Sequence, residues 1–270
     1  MDLGIAQGAF SNDGEGYANG IYRGVNTGLS NGLYETINKG ISKNGLVLWL
    51  DASRSDSYFA PYNNSQTAYD LSFNGNNCTS VNSVLYETGF NGVWRFGGNY
   101  YETVNNENLN LRTTGTYSAW IYPFNTTQSQ FCGMITRASN GGAGFVSSLC
   151  WRPLNSPPVI IGALYNGSTF NLVTIPAPTV ANIWYHYVFT WSGSSLRFYR
   201  NGLLVSSLVQ TIIGSNVSVP VRIGGHGVGG SSGGAESFTG YIGEALIYNR
   251  AITKEEVMQN YLSTKSRFGL

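Results

Sequence analysis

The sequence predicts an all-β fold, a β-sandwich or jelly roll, preceded by a glycine-rich arm and closed by one short helix. Three observations predict it. Short aromatic and β-branched runs recur from Leu46 onward, each bounded by Gly, Pro, Asn or Ser. Asn201-Gly202 joins two of these runs and supplies the paired positive-φ residues of a type I′ hairpin. Helix-start chemistry is convincing only near the end of the chain, at Thr253.

In order, the strand-like runs are LVLWLD (46–51), YSAWIYPF (117–124), PVIIGALY (158–165), FNLVTI (170–175), WYHYVFTW (184–191), LRFYRNGLLVSS (196–207), VPVRIGG (219–225) and TGYIGEALIY (239–248). Many short strands with regular turn signals indicate a sandwich or jelly roll. Thr253 with Glu256 three residues later forms a capping box, and Ile252 with Val257 a hydrophobic staple, so a helix is expected over about Lys254 to Leu262. The segment 224–237, GGHGVGGSSGGAES, reads as a flexible loop. It does not join a strand to a helix, so it is not read as a phosphate cradle.

Of 270 residues, 42% are hydrophobic and 11% charged, against roughly 25% charged in an average domain. The polar surface is therefore mostly amide and hydroxyl, which suits protein packing or neutral glycans. The formal net charge of +1 and scattered basic residues give no footprint for nucleic acid. No stretch has the roughly 18–20 apolar residues of a membrane span. MDLGIAQGAF lacks the basic and apolar regions of a secretory signal, so synthesis in the cytoplasm is expected and the Asn-X-Ser/Thr patterns at Asn63, Asn77, Asn125, Asn166 and Asn216 are read as unused. The three cysteines, Cys78, Cys132 and Cys150, have no zinc-like spacing and are read as free thiols, with a Cys132–Cys150 pair as the alternative.

Ahead of the strands, Gly20, Gly24, Gly28, Gly32 and Gly40 recur with a spacing of four, Thr36 filling the gap. Each position is followed by an aliphatic: Ile21, Val25, Leu29, Leu33, Ile37, Ile41. A helix with so many glycines is costly, about 1 kcal/mol per Gly against Ala. In a strand the glycines would share one face and the spacing would leave the aliphatics lining the other, a surface that needs a partner. The favoured reading is an arm that orders on binding, either to its own copies or to a different protein, with a plain linker as the alternative.

Several segments, in order, resemble the laminin-G-like, concanavalin A-like jelly-roll family: GLVLWLDAS (45–53), YDLSFNGNN (69–77), WRFGGNYYE (94–102), YSAWIYP (117–123), WYHYVFTWSGSSLRFYRNGLLV (184–205) and FTGYIGEALIYNRAITKEEVMQNY (238–261). The resemblance implies a concanavalin A-like antiparallel β-sandwich at 45–270 behind an arm at 1–44. The ending NYLSTKSRFGL is similar to those of laminin-G-like proteins of marine tailed phages and large DNA viruses, and the arm resembles Gly-Asn-rich segments of such proteins. That implies a virion structural protein on the particle exterior, a capsid decoration or fibre component, with capsid proteins or its own copies as partners of residues 1–44. The alternative it implies is a lectin-like module for a host glycan or protein receptor.

Related glycoside hydrolases place paired carboxylates on one strand face. Here Glu244 stands alone on the closing strand, Glu102 stands alone beside Tyr101, and the adjacent Glu255-Glu256 serves the helix start. No enzyme is expected. His186 is read as a packed strand histidine and His226 as solvated in the glycine loop. Calcium binding is a family property, and Asp70, Asn74 and Asn76 keep oxygen ligands for it. Gly97 stands where the family has an aspartate, and Asx-turn hydrogen bonds explain Asp70 and Asn76 equally. Glycan-stacking candidates near loops are Tyr58, Tyr62, Tyr100 and Tyr165, with no site assigned among them.

Overall fold

A computed structural model of the chain describes residues 40–58, 66–128, 131–138, 145–152, 157–210, 213–226 and 236–270. The ladder residues Gly20 through Ile37, and Tyr62, lie outside them. The strands are β1 (Leu46–Asp51), β2 (Thr67–Ala68), β3 (Cys78–Val81), β4 (Leu85–Glu87), β5 (Val93–Phe96), β6 (Tyr100–Thr103), β7 (Gly115–Pro123), β8 (Cys132–Ala138), β9 (Phe145–Arg152), β10 (Val159–Tyr165), β11 (Phe170–Pro176), β12 (Tyr185–Ser192), β13 (Ser195–Arg200), β14 (Leu203–Val209), β15 (Val221–Ile223) and β16 (Gly240–Tyr248). Helix α1 (Lys254–Thr264) and a 3-10 turn (Lys265–Phe268) follow.

The strands form two eight-stranded antiparallel sheets. The first runs β14-β13-β12-β7-β16-β5-β4, with β1 also paired to β16; the second runs β11-β10-β9-β8-β15-β6-β3-β2. This is the expected β-sandwich. Its main core, between the sheets, is aromatic: Trp94, Tyr117, Trp151, Phe189 and Trp191 are all fully buried there. The Asn201-Gly202 turn has φ of 51° and 81°, as a type I′ hairpin requires. The strands β8 and β9 in the middle of the second sheet were not among the expected runs. Their buried positions include Thr136, Arg137, Ser147 and Ser148, so no apolar alternation marks them.

The outer face of the first sheet is also covered. Alternate residues of β16 face opposite ways: Ala245 and Ile247 enter the main core, while Leu246 and Tyr248 pack with Val257 of α1. Trp120, the outward tryptophan of β7, stacks on Phe268 at 4.4 Å and on Tyr261 at 5.6 Å, and its Nε1 donates to Thr264 Oγ1 at 2.8 Å. The closing residues are thus a lid over the sheet. Helix α1 starts with the expected capping box and runs two residues further than expected, to Thr264. Replacing Thr253 with Ala is expected to cost about 1 kcal/mol, read as a lowered midpoint in urea unfolding.

The arm boundary at residue 44 divides a packed segment. Ile41 is buried against the α1 side of the sheet, Ser42 N donates to Asn260 Oδ1 at 2.8 Å, and Gln259 Nε2 donates to the Gly40 carbonyl at 2.8 Å. The last two ladder residues, Gly40 and Ile41, therefore belong to the sandwich, and Ile41 packs within its own chain.

Candidate functional site

The site is built where β1 gives way to β5 along one edge of β16. Register places Asp51, the last residue of β1, opposite Glu244 of β16. Gly243 is the extra residue of a bulge in β16 against β7. Its carbonyl accepts from Ala52 N at 3.1 Å, and a Cβ added to it would lie 2.6 Å from the Phe268 ring. Gly243 is thus the residue that lets the closing turn approach the sheet. With Ile242 and Ala245 facing the core, the bulge leaves Glu244 on the lid side.

Both carboxylates are buried, Asp51 at 7% exposure and Glu244 at 2%. Asp51 Oδ1 accepts from Arg267 Nη1 at 2.6 Å, Ser53 N at 2.9 Å and Ser53 Oγ at 2.7 Å. Arg267 also donates to the carbonyls of Phe90 at 3.0 Å, Gly92, and Gly243 at 3.3 Å. Trp49 Nε1 donates to Glu244 Oε1 at 3.2 Å. Burial, and then the neighbouring Asp51 charge, push the Glu244 carboxyl up to about 8, so it holds its proton at neutral pH. Arg267, the Trp49 hydrogen bond and Lys43 act against that shift without cancelling it.

Above this floor opens a cleft of about 400 Å³ between β1 with its flanks and the end of α1 with the closing turn. Half-buried Trp49 stands in it. Lys43 Nζ lies 3.4 Å from the centroid of its ring and the Arg54 guanidinium 5.1 Å. Arg54 is paired with Asp56 at 2.6 Å. Among the described residues no carboxylate lies within ion-pair distance of Lys43, whose ammonium is pulled below its ordinary value by burial and then by the Arg54 charge. Ser53, Ser263 and Ser266 add hydroxyls to the lining. The cleft therefore offers an aromatic edge, hydroxyls and one uncompensated positive charge.

The residues singled out in the sequence are placed differently. Glu244 does not stand alone, because cross-strand register brings Asp51 to it from 193 positions away along the chain. Glu102 is ion-paired to Arg222 at 2.6 Å. Asp70 accepts from Trp49 N, Ser72 N, Ser72 Oγ and Asn76 N, all at 2.8–3.0 Å. Asn74 donates to the Leu46 carbonyl at 3.1 Å and Asn76 to that of Val47 at 2.6 Å. These three pin the 70–77 turn to β1, the arrangement of the Asx-turn reading. No group of three or more His, Cys, Asp or Glu suited to a metal occurs among the described residues.

His186 is fully buried, bonds Ser118 Oγ at 2.9 Å and stacks on Trp120 at 4.9 Å; burial lowers it to about 3, so it is a neutral packed histidine. His226 is not solvated: it is buried, 3.3 Å from Glu236 and stacked on Phe131. All three cysteines are buried thiols that form no disulfide. Tyr58 and Tyr100 are buried, which removes them as stacking platforms. Tyr165 is half-exposed. It packs on Phe170 beside a second groove, of about 460 Å³, lined by Arg112, Asn166, Gly167 and residues 213–216. Sequence reasoning missed Trp49, Lys43, Arg54 and Arg267 as a group, because they come from opposite ends of the domain.

Comparison with solved structures gives the same fold at low identity. Domain 4 of AbnA, an extracellular arabinanase of Geobacillus stearothermophilus solved with arabinotriose, is 15% identical with a TM-score of 0.58, over 82% of this chain and all of that one. The binding domain of botulinum neurotoxin DC in complex with SialylT is 15% identical with a TM-score of 0.60, over 82% of this chain and 52% of that one. The binding domain of Paraclostridial Mosquitocidal Protein 1 is 18% identical with a TM-score of 0.56, over 81% and 52%. The chain thus spans about half the length of the toxin binding domains. No curated protein sequence matches it. The model of the Laminin_G_3 family, described as the concanavalin A-like lectin/glucanases superfamily, matches residues 96–258, more than half of the chain. That span includes Glu244 but not Lys43, Trp49, Asp51, Arg54 or Arg267. With two antiparallel sheets, the matching family model and these neighbours in accord, the chain belongs to the Laminin_G_3 family of concanavalin A-like jelly-roll domains.

Proposed function

We propose that the chain is a non-enzymatic, lectin-like recognition module that binds a saccharide or receptor group carrying a negative charge in the Trp49 cleft. The observation that carries this reading is Trp49 itself, a half-buried indole in an open cleft, flanked by two cations of which Lys43 has no ion-pair partner among the described residues. Aromatic surface beside hydroxyls and a cation with no ion-pair partner among the described residues suits an acidic sugar or a carboxylate-bearing peptide. Hydrolysis is not what the floor is built for. A glycosidase needs two carboxylates free to flank one bond, whereas Asp51 is tied to Arg267 and Ser53. Neighbours of this fold solved with arabinotriose or SialylT support a binding role.

The test is a glycan array with the full chain, followed by calorimetric titration of the best ligand against Lys43→Ala, Arg54→Ala and Trp49→Ala. An acidic glycan is expected to lead, with affinity falling about tenfold in each variant, the size of a lost cation or stacking contact of ~1–2 kcal/mol. Undiminished binding in the Lys43 and Arg54 variants, which keep the Trp49–Glu244 bond, would refute this site.

A second reading concerns where the module is displayed. Residues 1–39 would anchor it, through the Ile21, Val25, Leu29, Leu33, Ile37 ladder, to other virion proteins or to its own copies on a particle exterior. Its support is the resemblance of the arm and the closing residues to viral proteins. Stoichiometric presence in purified particles, lost when Leu29 and Leu33 are replaced by Asp, is the expected result; particles free of the chain would end that reading.

A further inference from the structure

Residues 40–45 are fastened to the sandwich mostly by side chains. Ser42 N donates to Asn260 Oδ1 at 2.8 Å, Asn260 Nδ2 donates to the Tyr248 hydroxyl at 2.9 Å, and that hydroxyl donates to the Ser42 carbonyl at 2.9 Å. The three bonds close a ring through the backbone of Ser42. Ser42 Oγ donates to Glu256 Oε1 at 2.8 Å, Gln259 Nε2 to the Gly40 carbonyl at 2.8 Å and Arg250 Nε to the Asn44 carbonyl at 2.9 Å. On the far side of Lys43, Leu46 N donates to the Lys43 carbonyl at 3.2 Å and closes a turn in which Gly45 takes φ 73°. The backbone on both sides of Lys43 is therefore pinned.

Asn260 is 1% exposed on α1, where the other buried residue is Val257. Packing alone would favour an aliphatic there, because asparagine is the poorer helix former and a buried amide is tolerated only when its hydrogen bonds are made. Both polar atoms of the Asn260 amide are spent on Ser42 and Tyr248. Neither Asn260 nor Tyr248 lines the cleft, whereas Lys43 does. An exposed lysine ordinarily samples many rotamers, yet Lys43 Nζ lies 3.4 Å from the centroid of the Trp49 ring. We propose that Asn260 and Tyr248 are positioning residues for ligand binding: their clamp on Ser42 holds Lys43 over Trp49, and so sets ligand affinity without contact with the ligand. The affinity half of the proposal rests on the Trp49 cleft being the binding site; the placement of Lys43 does not. A cation fixed before the ligand arrives has less freedom to lose on binding, which is how the clamp strengthens the complex. Opening the clamp releases Lys43 to solvent.

The test uses the full chain with isotope-labelled lysine, in the wild type, Asn260→Ala and Tyr248→Phe. Tyr248→Phe keeps the buried ring and removes only the hydroxyl, so it provides a folded variant even where Asn260→Ala fails to fold, and circular dichroism checks both. A methylene held over an indole face is shifted upfield in proton NMR. The chain has four lysines, Lys39, Lys43, Lys254 and Lys265, and the Lys43 signal is assigned by its loss in Lys43→Ala. In the wild type the Lys43 ε-methylene is expected upfield of that of Lys254, whose side chain is 78% exposed. In both clamp variants it is expected to move to the Lys254 position. The Kd for glucuronate, a sugar with one carboxylate, is followed through the sugar's own signals. It is expected to rise about tenfold in each clamp variant, as in Lys43→Ala. It is expected to rise no further in the Tyr248→Phe, Lys43→Ala double variant, a coupling that a merely structural role would not produce. A Lys43 methylene that keeps its upfield position in folded Tyr248→Phe overturns the proposal. So does a double variant in which the two single effects multiply. Glucuronate binding that is absent, or undiminished in Lys43→Ala, counts against the cleft reading instead, and the methylene shift then decides the clamp by itself.

Discussion

Replacing Arg267 with alanine is expected to lower the unfolding free energy by about 3–5 kcal/mol, the usual penalty for stripping one partner from a buried ion pair. The guanidinium holds Asp51 and the carbonyls of Phe90, Gly92 and Gly243, and its side chain is 11% exposed. Its removal leaves the buried Asp51 without its cation and frees the turn that seats Phe268 on Trp120. It also takes away the cation that most opposes the upward shift of Glu244, which would then hold its proton more firmly. Arg267→Lys should recover only part of the loss, because a point charge cannot replace a planar fork serving several acceptors. Urea unfolding at pH 7 measures both. A loss below 1 kcal/mol for Arg267→Ala would show that the closing turn is held by its aromatic contacts alone.

The substitution Glu244→Gln is expected to act in the opposite direction and to depend on pH. The native carboxyl is raised to about 8 by burial and by Asp51, from 4.5 when free. Below 4.5 both folded and unfolded chains hold the proton, and Glu244 contributes no pH dependence. Between 4.5 and about 8 only the folded chain holds it, so stability falls as pH rises through that window. Above about 8 both forms are ionised and the loss is complete. Each unit of separation corresponds to about 1.4 kcal/mol. Gln keeps an acceptor for Trp49 Nε1 and has no proton to lose. The variant should therefore match the wild type near pH 4.5, exceed it increasingly up to about pH 8, and stay above it at pH 9. Melting curves across this range check it, and parallel wild-type and variant profiles would show that Glu244 is ionised throughout. The Trp49 cleft sits on this floor, so affinity for an acidic ligand should fall further between pH 6 and pH 9 in the wild type than in Glu244→Gln, which keeps only the pH dependence of Lys43.

Much of the architecture was legible because it is written in short-range chemistry. LVLWLD is β1 residue for residue, since its run of β-formers is bounded by a glycine turn and an Asp-Ala-Ser turn. The Asn201-Gly202 hairpin and the Thr253 capping box depend on neighbours two or three residues away, and both are as expected. By contrast β8 and β9 were not legible. Arg137 is acceptable inside β8 only because Asn110 Oδ1 and the Val219 carbonyl receive it, and Ser147 inside β9 only because the Tyr117 hydroxyl meets it at 2.6 Å. Those partners lie tens of residues away, so a local reading sees polar residues where a strand should be apolar.

The closing residues show the same division. The local chemistry of Lys-Ser-Arg-Phe-Gly does not reveal what it touches. In the fold Arg267 locks the turn to Asp51, Phe268 covers Trp120, and Gly269 takes the left-handed conformation at φ 77°. His226 is the converse. A histidine among glycines reads as solvated, yet Phe131 from another segment stacks on it and Glu236 from the far end of its own loop meets it.

By itself the sequence determined the two-sheet sandwich, its clearest hairpin, the capped closing helix and a nearly uncharged surface, because strand period, turn residues and caps act within a few positions of each other. Only the tertiary structure decided the site. Antiparallel register between the first and last strands sets Asp51 against Glu244, and one bulged glycine leaves Glu244 facing the lid. The closing turn then brings Arg267 over both, and the docking of residues 40–44 places Lys43 on Trp49. Burial and charge proximity shift the Glu244 proton, and both depend on which distant segments meet, which no local pattern encodes.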